Sequence, residues 1–193
     1  MDKINSISNV WFKNTIVQKT SLVLSFTALT AIGAHIVIPI QPVPFTMQIF
    51  FVILSGLLLG AKLGFISQII YIISGIVGIP VFANGGGIQY ILSPSFGYTI
   101  GFALATLVVG LVKEKIFVNE NNFMKYFISS LLALMVCYTI GIIYLYSVLN
   151  LINHGNISFI SVLISGCILF LPSDILKITL ASIIARDTYS KMK

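Results

Sequence analysis

The amino-acid sequence predicts an all-α integral membrane protein, a bundle of six transmembrane helices with both termini in the cytoplasm. Three observations support this fold class. Apolar residues make up 58% of the 193 residues and charged residues only 8%, whereas a soluble domain carries about 25% charged residues. The apolar residues form long runs separated by short connectors, which indicates lipid as their surroundings. Nearly all Lys and Arg residues lie in alternate connectors, which sets the orientation.

The apolar runs are the expected spans, and we expect them to form one domain over residues 1–193. They cover approximately 21–40, 45–60, 63–80, 95–112, 124–149 and 172–186, with a short outer helix at 157–170. Each is near the roughly 20 residues that cross the hydrocarbon, although the second is short. The first run also exceeds the ~7–15 apolar residues of a signal peptide, so we interpret it as a membrane helix.

A proline interrupts the last apolar run. An unbroken helix from 157 to 185 would contain Pro172 in its interior and would kink there. Proline is favoured at the first position of a helix, and an acidic residue such as Asp174 suits a first turn. We therefore expect a short outer helix followed by a span that begins at Pro172, with a single kinked helix as the alternative.

The basic residues place both termini inside the cell. Ten of the 11 Lys and Arg residues lie in the N-terminal segment, the second and fourth connectors and the C-terminal tail. The first, third and fifth connectors carry no charged residue. Because cytoplasmic loops carry the excess of Lys and Arg, these parts face the cytoplasm. The scattered charges also lack the basic stripe of a nucleic-acid-binding protein.

Two charged residues are expected at membrane depth, Asp174 and Lys177 in the last span. Such residues are costly in lipid unless they are paired or hydrated, and they usually line a polar site. At positions i and i+3 they share one helix face and can contact each other. They either form an ion pair that only locks helices together or coordinate a polar solute from outside. Their position near the outer end favours the second interpretation.

Further polar residues are expected at the same outer end. Asn84 precedes three successive glycines in the third connector, where the backbone can approach a ligand closely. Its carboxamide can both donate to and accept from an amide-like group. Tyr98 is either part of a site or an interfacial anchor. The remaining candidates at this end are Thr46, Gln48, Gln89 and Tyr90.

The first span has a surface of small residues. Spacings of four between small residues allow another helix to approach closely. That helix belongs either to the same bundle or to a separate protein. The residues concerned are Thr27, Ala28, Thr30, Ala31 and Ala34.

The motifs of several enzyme classes are missing from the sequence. It contains no G-x-S-x-G, no H-E-x-x-H and no Walker A loop. We therefore expect no enzymatic activity and no cofactor. If ATP drives transport through this protein, another chain must hydrolyse it.

Four motifs follow one another along the chain: PVPFTMQ at 42–48, GIPVFANGGG at 78–87, SPSFGYTIGF at 93–102 and LPSDILK at 171–177. In this order they closely resemble the motifs of the BioY family, the biotin-specific S components of energy-coupling-factor (ECF) transporters. The resemblance implies a six-helix bundle in the bacterial cytoplasmic membrane that captures biotin from outside with high affinity. It also implies two kinds of partner, a membrane coupling protein and two cytoplasmic ATPases.

The resemblance carries the family's binding role to Asn84, Asp174 and Lys177, and more weakly to the four residues Thr46, Gln48, Gln89 and Tyr98. The sequence departs from the family at Ser173, where glycine is usual, and at Ser95-Phe96, where Thr-Gly is frequent. The family's Ala-x-x-x-Ala docking motif on the first helix is represented here only by Thr/Ala pairs.

The residue types suit the chemistry of biotin. Its ureido group has two N–H donors and a carbonyl acceptor, so Asp174 would accept an N–H while Lys177 and Asn84 address the carbonyl. A carboxylate would also suit Lys177, so the orientation of biotin stays open. The alternatives are an S component for another vitamin-like solute, an integral-membrane lipid enzyme and a purely structural subunit.

Overall fold

The computed structural model describes residues 16–116 and 122–191, and it is mostly helical there. The α-helices are α1 (Ile16–His35), α2 (Gln48–Ile76), α3 (Phe96–Leu111), α4 (Phe123–Ser147), α5 (Phe159–Leu163) and α6 (Leu171–Ser190). Helices α3, α4 and α5 continue as π-helical turns at Val112–Ile116, Val148–Ile152 and Ile164–Ile168. Lys3 and Lys13, which the sequence predicts to face the cytoplasm, lie outside the described residues.

Helical segments suited to a membrane dominate the described ranges. Five are long and apolar enough to cross a bilayer: Ile16–His35, Gln48–Ile76, Phe96–Ile116, Phe123–Ile152 and Phe159–Ser190. The structure therefore confirms a helical protein with several segments suited to span a membrane.

Helix α2 is two antiparallel halves joined at Gly60. This glycine has φ 82° and ψ 176°, which is not helical. Residues eight apart in a straight helix are separated by about 12 Å. Yet a Cβ added at Gly64 would lie only 3.0 Å from the Cα of Gly56. The chain therefore folds back on itself, and the halves 48–59 and 61–76 coincide closely with the second and third apolar runs.

The connector between α1 and α2 contains a short strand pair. Helix α1 ends at His35, before the predicted end of the first apolar run, because β1 (Val37–Ile38) pairs with β2 (Phe45–Thr46) in antiparallel register. Strand β2 leads directly into α2. The strand pair therefore places Thr46 next to Gln48, at the end of the bundle where α2 begins.

The last apolar run is helical on both sides of two turn residues. Pro172 lies in the first turn of α6. At the preceding Leu169 and Phe170 the backbone angles stay in the right-handed helical region. Their N–H groups bond to Ile164 O and Cys167 O, so the hydrogen-bond pattern changes there while the chain continues in the same direction.

Most of the small face of α1 packs inside this bundle. Thr27 donates to the carbonyl of Ser67 at 2.8 Å, and Thr30 accepts from Gln68 Nε2 at 3.2 Å. Both partners lie in the second half of α2. Thr30 and Ala34 are fully buried, Ala31 is half-buried and Ala28 is exposed. Thr27, Thr30 and Ala34 therefore pack within the same bundle, which is the first of the two alternatives for this surface.

Lys113 lies at the end of the bundle where α2 reverses. The sequence places this residue in a cytoplasmic connector, but its side chain is only 8% exposed. Its ammonium donates to Leu57 O at 2.7 Å and to the Tyr189 hydroxyl at 3.0 Å. Helix α6 thus carries Asp174 and Lys177 near its first residue and Tyr189 near its last.

Candidate substrate-binding site

A cleft opens at the end of the bundle opposite Gly60. It encloses about 590 Å³ of space, including the open solvent at its mouth. Phe102, Leu134 and Phe170 form part of its apolar wall. Its polar lining residues are Thr46, Gln48, Tyr90, Ser95, Tyr98, Thr99, Tyr138, Asp174 and Lys177.

The two charged residues of the cleft are paired with each other. Lys177 Nζ lies 2.7 Å from Asp174 Oδ1, and the two residues are 5% and 7% exposed. The contact forms because both residues lie on one face of the first turns of α6. Lys177 Nζ also donates to the carbonyl of Thr46 at 2.7 Å and lies 4.0 Å from the centre of the Phe45 ring. The ammonium therefore connects α6 to β2.

Tyr138 completes the coordination of the carboxylate. Its hydroxyl donates to Asp174 Oδ2 at 2.7 Å. The single proton of the neighbouring Ser173 hydroxyl goes to Phe170 O at 3.0 Å, so Lys177 is the donor to Oδ1. Both carboxylate oxygens are engaged, and each keeps acceptor capacity for a ligand donor. Tyr138 is not among the binding residues that the sequence predicts. Its spacing of four from Leu134, which also lines the cleft, would have placed it on the same helix face.

The other polar corner of the cleft is built around Gln48. The Thr46 hydroxyl donates to Gln48 Oε1 at 2.9 Å, and Gln48 Nε2 donates to the Tyr71 hydroxyl at 2.7 Å. Tyr71 in turn donates to Val81 O at 3.1 Å. This row of hydrogen bonds ties both halves of α2 to the connector after it.

Two further tyrosines line the cleft. The Tyr98 hydroxyl donates to Gly166 O at 2.7 Å, and the residue is buried within the bundle rather than at its surface. Tyr90 shares a hydrogen bond of 3.0 Å with Ser95. Burial raises the pKa of the Tyr90 phenol, so its hydroxyl stays protonated and can donate.

Of the seven residues to which the family resemblance gives a binding role, five line the cleft: Thr46, Gln48, Tyr98, Asp174 and Lys177. Asn84 and Gln89 are exposed, and neither belongs to the lining. Asn84 lies in the turn closed by Phe82 and Gly85, beside Ala83, which does line the cleft. Gln89 donates back to Gly86 O at 3.2 Å.

Within residues 16–116 and 122–191, no group of three or more His, Cys, Asp or Glu side chains is placed to hold a metal ion. The site is thus described by an ion pair, several hydroxyl groups and one carboxamide in an otherwise apolar cleft.

Membrane-suited helices around a cleft with a buried acid and amine define a small-molecule-binding membrane protein. The family model described as the BioY family matches residues 4–193. The chain therefore belongs to the BioY family.

Named relatives and a solved structure agree with this membership. The chain is 42% identical to the "Probable biotin transporter BioY" of Lysinibacillus sphaericus, covering 87% of this chain and 85% of that one. It is 41% identical to the "Biotin transporter BioY" of Thermotoga maritima, covering 83% and 89%. A crystal structure of "the S-component for biotin from an ECF-type ABC transporter" matches with a TM-score of 0.80 at 28% identity, covering 92% and 93%.

Proposed function

We propose that this chain takes up biotin across the cytoplasmic membrane as the substrate-capturing S component of an ECF-type transporter. The observation that carries the proposal is the match over 92% of the chain to the solved biotin S component, with a TM-score of 0.80. The chain is a transport protein rather than an enzyme, in keeping with relatives that are named as transporters.

Asp174 and Lys177 bind the ureido group of biotin in this proposal. Lys177 has three N–H donors, and two of them are used by Asp174 and Thr46 O, so one remains for a ligand carbonyl. The Asp174 carboxylate keeps acceptor capacity for a ureido N–H. Thr46, Gln48 and Tyr98 line the same cleft. Asn84 and Gln89, in the connector after α2, contact biotin from the rim of the cleft.

The chain crosses the membrane six times in the proposed topology, with both termini in the cytoplasm. Supporting this, the two halves of α2 are antiparallel, and Lys62 lies beside the turn between them. Lys113 is near the same turn, whereas the cleft is at the opposite end. The positive-inside rule then puts the cleft outside. The last span begins at Pro172.

A membrane coupling protein and two cytoplasmic ATPases are the proposed partners, as the resemblance to the biotin S components implies. The matched solved structure comes from an ECF-type ABC transporter. The coupling protein would contact the outward face of α1. Ala28 is exposed there, whereas Thr30 and Ala34 are fully buried.

Equilibrium binding of radiolabelled biotin to the purified chain in detergent tests the proposal. We expect saturable binding of one biotin per chain that unlabelled biotin displaces and other vitamins do not. Native mass spectrometry of the gently purified protein identifies any solute that it retains. Retention of a different solute, or displacement of the label by another vitamin, would reject biotin as the substrate.

A further inference from the structure

Tyr71 does not line the cleft, yet it holds a residue that does. It is fully buried in the second half of α2 and packs edge-on against Phe82, with ring centres 5.4 Å apart. Its hydroxyl accepts from Gln48 Nε2 at 2.7 Å. Gln48 is in the first turn of α2 and is 6% exposed, towards the cleft.

The directions of these bonds follow from what each group can donate. A backbone carbonyl only accepts, so the single proton of Tyr71 goes to Val81 O at 3.1 Å. The Tyr71 oxygen must then accept from Gln48, which turns the NH₂ group of Gln48 towards Tyr71. The Gln48 carbonyl oxygen faces Thr46, whose hydroxyl donates to it at 2.9 Å.

The reversed carboxamide would lose a bond. With Oε1 towards Tyr71, the tyrosine proton would have to serve Gln48, and Val81 O would lose its donor. Val81 itself is held in place, because the next residue, Phe82, fills a notch at Gly75 that a Cβ would occupy. The connector after α2 thus sets the orientation of a polar group in the cleft.

We infer that Tyr71 is a positioning residue that fixes which way round the Gln48 carboxamide faces the ligand. In this orientation one N–H and one lone pair of Gln48 are used within the protein, and one of each remains. The remaining pair determines the donor and acceptor pattern that this corner of the cleft offers. The inference rests on the proposed function of the cleft as a biotin site.

A double-mutant cycle on the full chain in detergent tests the inference, with radiolabelled biotin as the probe. The variants are Tyr71→Phe, Gln48→Met and the two combined. We expect Tyr71→Phe to weaken biotin binding about tenfold, the effect of losing one buried hydrogen bond. In the Gln48→Met background the same change should alter the affinity less than about twofold, because no carboxamide remains to be positioned.

Tyr144→Phe is the matched control. The Tyr144 hydroxyl also donates to a connector carbonyl, that of Ile91, but the residue is not part of the cleft lining. Removing the Tyr144 hydroxyl should leave biotin affinity within about twofold of wild type. If a variant binds too weakly for a dissociation constant, the rise in unfolding temperature with millimolar biotin provides the comparison. If Tyr71→Phe does not fold, Tyr71→Met replaces it, because it also removes the hydroxyl and keeps a flexible apolar side chain at this buried position.

Each outcome decides the matter. If Tyr71→Phe leaves the affinity unchanged, or weakens it equally in the wild-type and Gln48→Met backgrounds, the positioning role is overturned while biotin remains the substrate. Absence of biotin binding to the wild-type chain would instead reject the proposed function. A loss that appears only while the Gln48 carboxamide is present supports the inference.

Discussion

The ammonium nitrogen of Lys113 lies 2.7 Å from the carbonyl oxygen of Leu57, at the end of the bundle opposite the cleft. Leu57 is in the last turn before Gly60, where carbonyls lack intrahelical partners and a cation is favourable. The neighbouring Glu114 accepts from the N–H of Ala61 at 3.2 Å, at the start of the next half-helix. Adjacent residues of opposite charge therefore each pair with one backbone group at the two helix ends of this turn.

Replacing Lys113 with Met should destabilise the protein without altering the cleft. The change removes hydrogen bonds to Leu57 O and the Tyr189 hydroxyl. We expect a loss of about 1–3 kcal/mol of stability, seen as a lower unfolding temperature in detergent. Biotin affinity should stay within about twofold, because the site is at the other end. Lys115→Met is the control, because Lys115 is exposed in the same π-helical turn, Val112–Ile116. Equal falls in unfolding temperature in the two variants would contradict this account.

Asp174→Asn should abolish most biotin binding. The carboxylate is the partner of Lys177 and, in our proposal, the acceptor for a ureido N–H. Its neutralisation leaves a buried ammonium without its counter-charge, so we expect binding at least about 100-fold weaker. Asp187→Asn is the control on the same helix, because Asp187 pairs with Arg186 at an exposed position. Near-native binding by Asp174→Asn would remove this carboxylate from the site.

Tyr138→Phe should weaken biotin binding by about fivefold to tenfold, since it deletes the hydroxyl that orients Asp174 Oδ2. The loss is smaller than in Asp174→Asn because the ion pair with Lys177 remains. Tyr146→Phe, two turns further along α4 and 39% exposed, should bind as wild type. Titration with radiolabelled biotin measures the affinities of the wild type and of both variants. A Tyr138→Phe affinity equal to that of Tyr146→Phe would refute the orienting role.

Cysteine labelling in intact cells tests the six-span topology. The sequence contains only two cysteines, Cys137 and Cys167, and replacing both with alanine gives a clean background. An impermeant maleimide should label Ile88→Cys, which is exposed beside the cleft. It should reach Lys62→Cys, at the α2 turn, only after the membrane is permeabilised. Labelling of Lys62→Cys in intact cells would overturn the orientation.

The sequence predicted the charged part of the site but not its tyrosine partners. Asp174 and Lys177 are conspicuous because a charge within an apolar run needs an explanation, and their contact depends only on local helix geometry. Tyr138 and Tyr71 resemble ordinary core residues in apolar runs. Their partners Asp174 and Gln48 are 36 and 23 residues away in sequence, a distance that helix periodicity does not bridge.

Which connector side chains are buried and which are exposed could also not be predicted from the sequence. Asn84 and Gln89 lie in the expected connector, but the turn between Phe82 and Gly85 leaves Asn84 exposed. Lys113 is the opposite case. The distribution of basic residues predicts that it lies in a cytoplasmic connector, but its ammonium donates to Leu57 O and the residue is buried.

The sequence by itself therefore determined the class of protein, the apolar runs and the acid–amine pair, because solubility in lipid and contacts within one helix turn depend on residues adjacent in the chain. Only the tertiary structure decided the fold-back at Gly60, the placing of Tyr138 on the carboxylate and the row of bonds from Thr46 to Val81. Those features depend on which helix faces meet. That depends on the shape of every side chain between them, and no local pattern records it.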